Sequence, residues 1–235
     1  MSMFCFQCEQ TAQGKGCTVA GVCGKQADTA NLQDELTSSV IKFANCVKEN
    51  DENTQLIIEA LFTTVTNVNF DNKSIKELTE KIRQKTDCDF TFNIASVWNC
   101  EENIRSLKSL ILFGLKGMAA YAHHARILGY KNHEVDNFFY EALQAISKDL
   151  SIDELTSLVL KTGEINLKCM ELLDKANTET YGTPEPVKVT TNIEKGPFIV
   201  VTGHDLHDLA LLLEQTKDKG INIYTHGEML PCHAY

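Results

Sequence analysis

Four cysteines lie within a short glycine-rich segment near the start of the chain, and no other feature of the sequence constrains the fold as strongly. They follow the spacing C-x2-C-x8-C-x5-C and are Cys5, Cys8, Cys17 and Cys23. The glycines around them disfavour a helix or a packed strand. Four thiolates this close in sequence can instead surround one metal centre. We therefore predict that residues 1–26 form a cysteine-ligated, metal-binding loop.

The spacing narrows the type of metal centre. A 4Fe–4S cluster and a structural zinc ion can each take four cysteine ligands. Zinc sites more often have two C-x2-C pairs, whereas this segment has one. Glycines beside the cysteines also leave backbone N–H groups free to approach cluster sulfur atoms, which is one way to adjust a reduction potential. The pattern favours iron–sulfur, but zinc and a loop without metal stay open on spacing alone.

Composition and the first residues indicate a cytoplasmic protein with reduced thiols. The start, MSMFCFQCEQ, has neither the basic nor the apolar region of a secretory signal, and no run of eighteen apolar residues is present to span a membrane. The net charge of −10 comes without a basic stripe, which argues against binding to nucleic acid or to an anionic membrane. We expect no disulfides. Four further cysteines, each alone in sequence, are predicted to be small buried core residues: Cys46, Cys88, Cys100 and Cys169.

Helical periodicity dominates residues 27–180, which we predict to form a helical bundle domain. One helix face is predicted to carry Leu32, Leu36, Val40, Phe43 and Val47. The other predicted helices run from Gln55 to Thr66, from a Ser74–Glu77 capping box, from Glu101 to Leu128 with Gly129 as its stop, from Asn132, and from a Ser151–Glu154 capping box to about Ala176.

A turn-rich segment, Tyr181–Pro186, separates these helices from an α/β pattern in residues 187–235. Phe198–Thr202 predicts a buried parallel strand, Asp205–Thr216 an amphipathic helix and Ile221–Thr225 a second strand. This order is a βαβ unit. Because two parallel strands do not make a stable sheet by themselves, we expect this segment to be the truncated beginning of a larger α/β domain.

Two side chains that bind metals well follow these two strands. His204 comes one glycine after the first strand, and Glu228 follows the second. Because the carboxyl ends of neighbouring parallel strands meet at one edge of a sheet, we expect the two side chains to lie close together. Imidazole and carboxylate suit iron, manganese or zinc. The alternative is that His204 caps the following helix and Glu228 is simply solvated.

Several sequence motifs are distributed along essentially the whole chain. They are Met3–Thr11 with Cys17 and Val22–Lys25, Thr66–Asp71, Gly114–Gly117 with Tyr121–Gly129, Gly203–Leu206, and Tyr224–Pro231. Together they resemble the N-terminal portion of the hybrid cluster proteins, a family also called prismane proteins or hydroxylamine reductases. The compact cysteine spacing resembles the branch of that family with a 4Fe–4S cluster, since the 2Fe–2S branch has longer gaps.

The resemblance implies an α plus α/β fold of several domains. Helical bundles carrying the four-cysteine iron–sulfur loop would be followed by the first βαβ unit of a truncated Rossmann-like domain. It also implies that His204 and Glu228 are two ligands of a hybrid iron–sulfur–oxygen cluster, of the 4Fe–2O–2S type, in the full-length family. The family's remaining cysteine, glutamate and lysine contacts to that cluster are absent from this sequence. Cys232 stands where the family usually has alanine, and we assign it no role.

The resemblance further implies an oxidoreductase that reduces hydroxylamine to ammonia and water, with nitric oxide as another substrate. An NADH-dependent flavin/iron–sulfur reductase would donate the electrons. We expect this chain to be an incomplete copy of such an enzyme. Two alternatives stay open: an electron-transfer or metal-stabilised interaction module that uses only the four-cysteine site, and an inactive gene fragment.

Overall fold

The computed structural model describes residues 3–9, 12–65 and 68–235. Gln10 and Thr11 of the first resembling motif therefore lie outside the described residues, as do Thr66 and Asn67 of the second. Internal packing divides the chain into two compact units. The first unit comprises residues 1–123 and 131–170, and the second comprises residues 124–130 and 171–235. The predicted division into segments 1–26, 27–180 and 187–235 stays a prediction.

Helices make up most of the described chain between residues 27 and 181. They are α1 (Ala27–Cys46), α2 (Asp51–Thr63), α3 (Asn72–Gln84), α4 (Ala95–Trp98), α5 (Glu102–Ile127), α6 (His133–Ile146) and α7 (Ile152–Tyr181). The two longest, α5 and α7, contribute residues to both units. The predicted helical character of this region is confirmed.

The core of the first unit lies where α1 packs against α2, α3 and α6. Leu36, Val40 and Phe43 are fully buried there, as the helical periodicity predicts. Leu32 is only partly buried at the margin of the core. The predicted place of Val47 on this helix face is wrong, because α1 ends at Cys46 and Val47 has an extended backbone, with φ −108° and ψ 155°. The apolar stripe thus fastens the centre of α1 more tightly than its start.

Two of the predicted helix ends are confirmed by their capping contacts. The Asn132 side chain accepts the Glu134 N–H at 2.9 Å at the start of α6. Ser151 and Glu154 form the reciprocal contacts of a capping box at the start of α7, with the Ser151 N–H donating to Glu154 at 2.8 Å. Gly129, at a φ of 88°, lies just beyond the end of α5. Local sequence is enough at these places because each cap is satisfied within three residues.

Several other predicted helix ends are wrong. Helix α2 begins at Asp51 and not at Gln55, because the Asn50 side chain caps it by accepting the Asn53 N–H at 2.9 Å. Asp71 caps α3, accepting the Lys73 N–H at 2.9 Å, so Ser74 lies inside the first turn instead of capping it. The competing carboxylate three residues earlier satisfies the same free N–H groups. Helix α7 continues beyond Ala176 to Tyr181, because no glycine or proline occurs between Ala176 and Gly182, whose φ is 106°.

The cysteines outside the first segment behave differently from one another. Cys46, at the end of α1, and Cys88, after α3, are joined by a disulfide with a Cα–Cα distance of 5.8 Å. The prediction that they are unpaired core residues is therefore wrong, because packing of α1 against α3 brings them together. Cys100 is exposed, also against expectation, whereas Cys169 is buried as predicted.

The second unit contains a small parallel sheet of two strands, β1 (Phe198–Thr202) and β2 (Asn222–His226), connected by α8 (Leu206–Thr216). Phe198 pairs with Asn222, and Thr202 pairs with His226. The predicted βαβ order is confirmed, but the predicted burial of β1 is wrong: Phe198 is 60% exposed. A sheet needs a covering layer to bury its apolar residues, and β1 lacks a full cover among the described residues. A 3-10 segment, Gly227–Ala234, follows β2.

The protein therefore combines a mostly helical chain with a small parallel sheet, which agrees with the predicted fold class at that level. Within the described ranges, no helix is both long and apolar enough to cross a membrane.

Candidate functional site

Backbone hydrogen bonds close the N-terminal segment into a compact loop. The Cys5 N–H donates to the Cys17 carbonyl at 3.1 Å, which places the first and third cysteines on adjacent backbone segments. Around the fourth cysteine, the Gly21 N–H donates to the Lys25 carbonyl at 2.7 Å and the Gly24 N–H to the Gly21 carbonyl at 2.9 Å. The three hydrogen bonds draw residues from distant parts of the segment into one loop.

The four cysteines of this loop are free thiols at different depths. Cys17 is buried, whereas Cys5, Cys8 and Cys23 are partly buried. Burial raises the pKa of the Cys5 thiol, and a backbone N–H bond from Gln7 and the charge of Lys25 act against this rise. Burial is the largest of these effects, so the neutral thiol is favoured at Cys5 in the absence of metal, and binding of a metal would release its proton.

Glycine at position 21 leaves room for the fourth thiol. A Cβ atom added to Gly21 would lie 2.9 Å from the Cys23 sulfur and 3.1 Å from the Lys25 Cβ. Both separations are shorter than ordinary van der Waals contact. Any larger residue at this position would displace Cys23, so Gly21 is part of the site even though it has no side chain.

A cluster of aromatic side chains flanks the first cysteine. The rings of Phe4 and Phe6 lie 4.8 Å apart, and Trp98 packs 5.1 Å from Phe4. The Arg105 guanidinium lies over the Trp98 ring, 5.1 Å from its centroid. Because Phe4 and Phe6 are the two sequence neighbours of Cys5, this cluster places apolar rings beside the first cysteine.

A buried polar network lies behind the same pair, and sequence reasoning missed it. Gln7, Asp34 of α1 and Lys116 of α5 are only 3%, 8% and 4% exposed. The Gln7 amide nitrogen donates to Asp34, and its amide oxygen accepts a bond from Lys116. The signal in the sequence was Lys116 itself, a lysine within the motif Gly114–Gly117 in the otherwise apolar stretch 110–122.

The second candidate site lies in the other unit, at the carboxyl edge of the small sheet. The His204 Nε2 atom lies 2.7 Å from a carboxylate oxygen of Glu228. The two side chains are 67% and 74% exposed. The proximity predicted from the strand ends is therefore present, and the alternative that His204 caps α8 is wrong, because Asp205 caps that helix by accepting the His207 N–H at 2.9 Å.

One further histidine of the second unit lies near this edge. His124 Nδ1 is 3.6 Å from a carboxylate oxygen of Asp205. Burial lowers the pKa of His124, and the charge of Asp205 opposes this effect. The preceding residue, His123, belongs to the first unit and stacks on Phe62 at 4.5 Å between ring centroids. The two adjacent histidines thus have different partners, as expected for neighbours on a helix.

Neither site forms a preassembled cage for a single metal ion. Within the parts of the chain that the model describes, no three His, Cys, Asp or Glu side chains are arranged to hold one ion. The N-terminal loop supplies four sulfur donors close in sequence, and the sheet edge supplies one nitrogen and one carboxylate donor. These donor sets match the residues predicted from the sequence but do not identify the metal.

The whole chain is similar to proteins of one family. A family model described as Prismane/CO dehydrogenase family matches residues 3–235. The hydroxylamine reductase of Methanocella arvoryzae is 45% identical, with 99% of this chain and 51% of that protein covered. Those of Halothermothrix orenii and Acetivibrio thermocellus are 43% and 44% identical, with 100% of this chain and 50% and 49% of those proteins covered. The chain spans about half the length of the curated relatives it matches.

Proposed function

The chain belongs to the Prismane/CO dehydrogenase family, and from this premise we propose that it is the cluster-binding N-terminal part of an iron–sulfur oxidoreductase that reduces hydroxylamine. The observation that carries the proposal is a hydrogen-bonded loop with four free cysteines in a chain similar over its full length to proteins named hydroxylamine reductase. The reaction is NH2OH + 2 e− + 2 H+ giving NH3 + H2O.

Cys5, Cys8, Cys17 and Cys23 would hold a 4Fe–4S cluster. The donor set fits, because four thiolates are the usual ligands of such a cluster. Room for it at Cys23 depends on Gly21, where a Cβ atom would stand 2.9 Å from the sulfur.

When bound, the cluster supplies storage and transfer of single electrons. The residues of the chain do the rest of the work at this site. The four thiolates would bind the irons, Gly21 leaves room for the Cys23 sulfur, and Phe4 and Phe6 place apolar rings on either side of Cys5 in the sequence. The electron donor in this proposal is a separate reductase of the flavin/iron–sulfur type.

His204 and Glu228 would be part of the ligand set for the second, hybrid cluster. The 2.7 Å contact between the His204 Nε2 atom and the Glu228 carboxylate means that both donor groups already lie side by side at the edge of the sheet. Two donors are too few to bind such a cluster tightly, because metal affinity depends on the full ligand set. We therefore expect the 235 residues alone to bind the N-terminal cluster but not to reduce hydroxylamine at the rate of the full-length relatives.

The test is anaerobic purification of the chain, followed by analysis of iron, acid-labile sulfide and zinc. We expect about four irons and four sulfides per chain and visible absorbance that dithionite bleaches. The variant Cys8→Ser should lose this absorbance, whereas Cys100→Ser, which removes an exposed free thiol elsewhere, should keep it. A colourless protein with one zinc would contradict the proposal, as would equal cluster content in the two variants.

The expected lack of turnover is tested with the same preparation. Reduced methyl viologen is mixed with the chain and hydroxylamine, and ammonia is measured. Ammonia formation at the rate of a full-length relative, measured side by side, would show that the hybrid cluster is not needed or that it assembles on fewer ligands than we propose.

A further inference from the structure

Lys116 is the most unusual ionisable residue of the first unit. It lies on α5, in the motif Gly114–Gly117, and is 4% exposed. An ammonium group has three N–H donors, and among the described residues its nitrogen bonds to a single acceptor, the amide oxygen of Gln7. A buried cation with unused donors is costly unless a negative charge compensates it.

The network around Lys116 leads directly to the cysteine loop. Gln7 lies between Cys5 and Cys8, and its side chain joins Lys116 to Asp34. The Phe6 N–H also donates to Asp34, at 3.2 Å. Both residues that separate the first two cysteines are therefore fastened to the helices behind them.

Two buried lysines lie beside this cysteine pair, although the chain as a whole is acidic. The chain carries a net charge of −10, yet Lys25 and Lys116 are 2% and 4% exposed beside the loop. Burial lowers the pKa of Lys116 to about 7, while the charges of Asp34, Cys5 and Cys8 act in the opposite direction. Only one carboxylate, Asp34, takes part in the network, and burial raises its own pKa to about 6.

We propose that Lys116 is a positioning residue for the N-terminal cluster: through Gln7 it holds the Cys5–Cys8 segment against α5, and its positive charge stabilises the reduced, more negative state of the cluster. This inference rests on the proposed function, since it requires a cluster on the four cysteines. It adds a role for a residue that donates no ligand. A 4Fe–4S cluster with four thiolates is an anion, which would add negative charge beside two buried lysines, Lys25 and Lys116, in addition to the charge of Asp34.

Reduction potential is the measurement that separates this role from a purely structural one. Lys116→Met keeps the length of the side chain and removes the charge. We expect its one-electron reduction equilibrium to shift about tenfold toward the oxidised cluster, which corresponds to about 59 mV. Lys116→Arg keeps the charge and should lie close to the wild type. The potentials are measured by redox titration followed by electron paramagnetic resonance.

Lys108→Met is the matched control. Lys108 lies on the same helix, is 9% exposed, and donates to the Lys148 carbonyl at 2.8 Å, just after the end of α6. Its loss should disturb the packing of α5 without changing the cluster potential. Equal potentials in Lys116→Met, Lys108→Met and the wild type would overturn the charge role while leaving the proposed function intact.

If Lys116→Met takes up too little cluster for its potential to be measured, the iron and sulfide content of the variants is compared instead. Loss of iron and sulfide from a variant that keeps its helical circular dichroism, with full loading of Lys108→Met, supports the positioning role. Equal loss in both variants, or in Lys116→Arg as well, overturns it. A further variant, Gln7→Leu, leaves α5 unchanged and should release iron to a chelator several times faster than the wild type. A wild-type chain that binds no cluster would refute the proposed function and this inference together.

Discussion

The two candidate sites differ in how much of the surrounding protein supports them. The cysteine loop is fastened to α1 and α5 by buried side chains, with Gln7 3% exposed. His204 and Glu228 project from the end of a two-stranded sheet and are 67% and 74% exposed. Donor residues alone therefore do not make a site. Buried hydrogen bonds from α1 and α5 hold the cysteine loop, whereas His204 and Glu228 contact each other but are both largely exposed.

The largest expected effect tests whether the first unit depends on its core. Phe43→Ala removes a fully buried ring from α1, and we expect it to lower the free energy of unfolding by about 3–5 kcal/mol, because a cavity remains where the ring packed. Urea unfolding followed by circular dichroism measures this. A loss below about 1 kcal/mol would mean that the core of α1 is loosely packed.

The next effect depends on pH and tests the buried network. The pKa of Lys116 is lowered by burial to about 7, so the folded chain without metal must bury a charged lysine below that pH, while the unfolded chain keeps its lysine charged up to about pH 10.4. The free energy of unfolding should therefore rise between about pH 7 and pH 10, by a few kcal/mol at most.

Lys116→Met removes the titrating group, so its unfolding free energy should change less than that of the wild type over the same interval. Urea unfolding of both proteins at pH 7 and pH 9, without metal, gives the comparison. Parallel pH profiles for the two proteins would contradict the burial of a charged lysine.

A smaller effect compares equivalent helix caps in the two units. Ser151→Ala removes the cap of α7, and Asp205→Ala removes the cap of α8. Each should cost about 1 kcal/mol, because one side chain satisfies free N–H groups at each helix start. Thermal unfolding of each variant is compared with that of Ser157→Ala, a serine inside α7 whose side chain bonds only to a carbonyl of its own helix.

The smallest effect is expected on the exposed face of the sheet. Val200→Thr changes a residue of β1 that is 56% exposed, and we expect a change of less than about 0.5 kcal/mol in unfolding free energy. Chemical unfolding monitored by Tyr fluorescence detects it. A loss above about 1 kcal/mol would indicate that another surface covers β1 in solution.

Local patterns predicted much of the secondary structure. The Ser151–Glu154 box and the Asn132 cap are correct because their contacts form within three residues. Ser74 failed as a cap because Asp71, a stronger competitor nearby, takes that role. Apolar residues in β1 predicted burial, but a strand is buried only when another layer lies on it, which a local pattern does not report.

The amino-acid sequence was enough to predict the four-cysteine loop, the order of helices and strands, and the closeness of His204 and Glu228. Each depends on short spacing, on periodicity or on strand order, which are properties of neighbours along the chain. The disulfide between Cys46 and Cys88, and the bonds from Gln7 to Asp34 and to Lys116, 27 and 109 positions away, depend instead on tertiary packing. Such contacts form when helices pack, because burial removes water and leaves polar groups to find partners that lie far away in sequence.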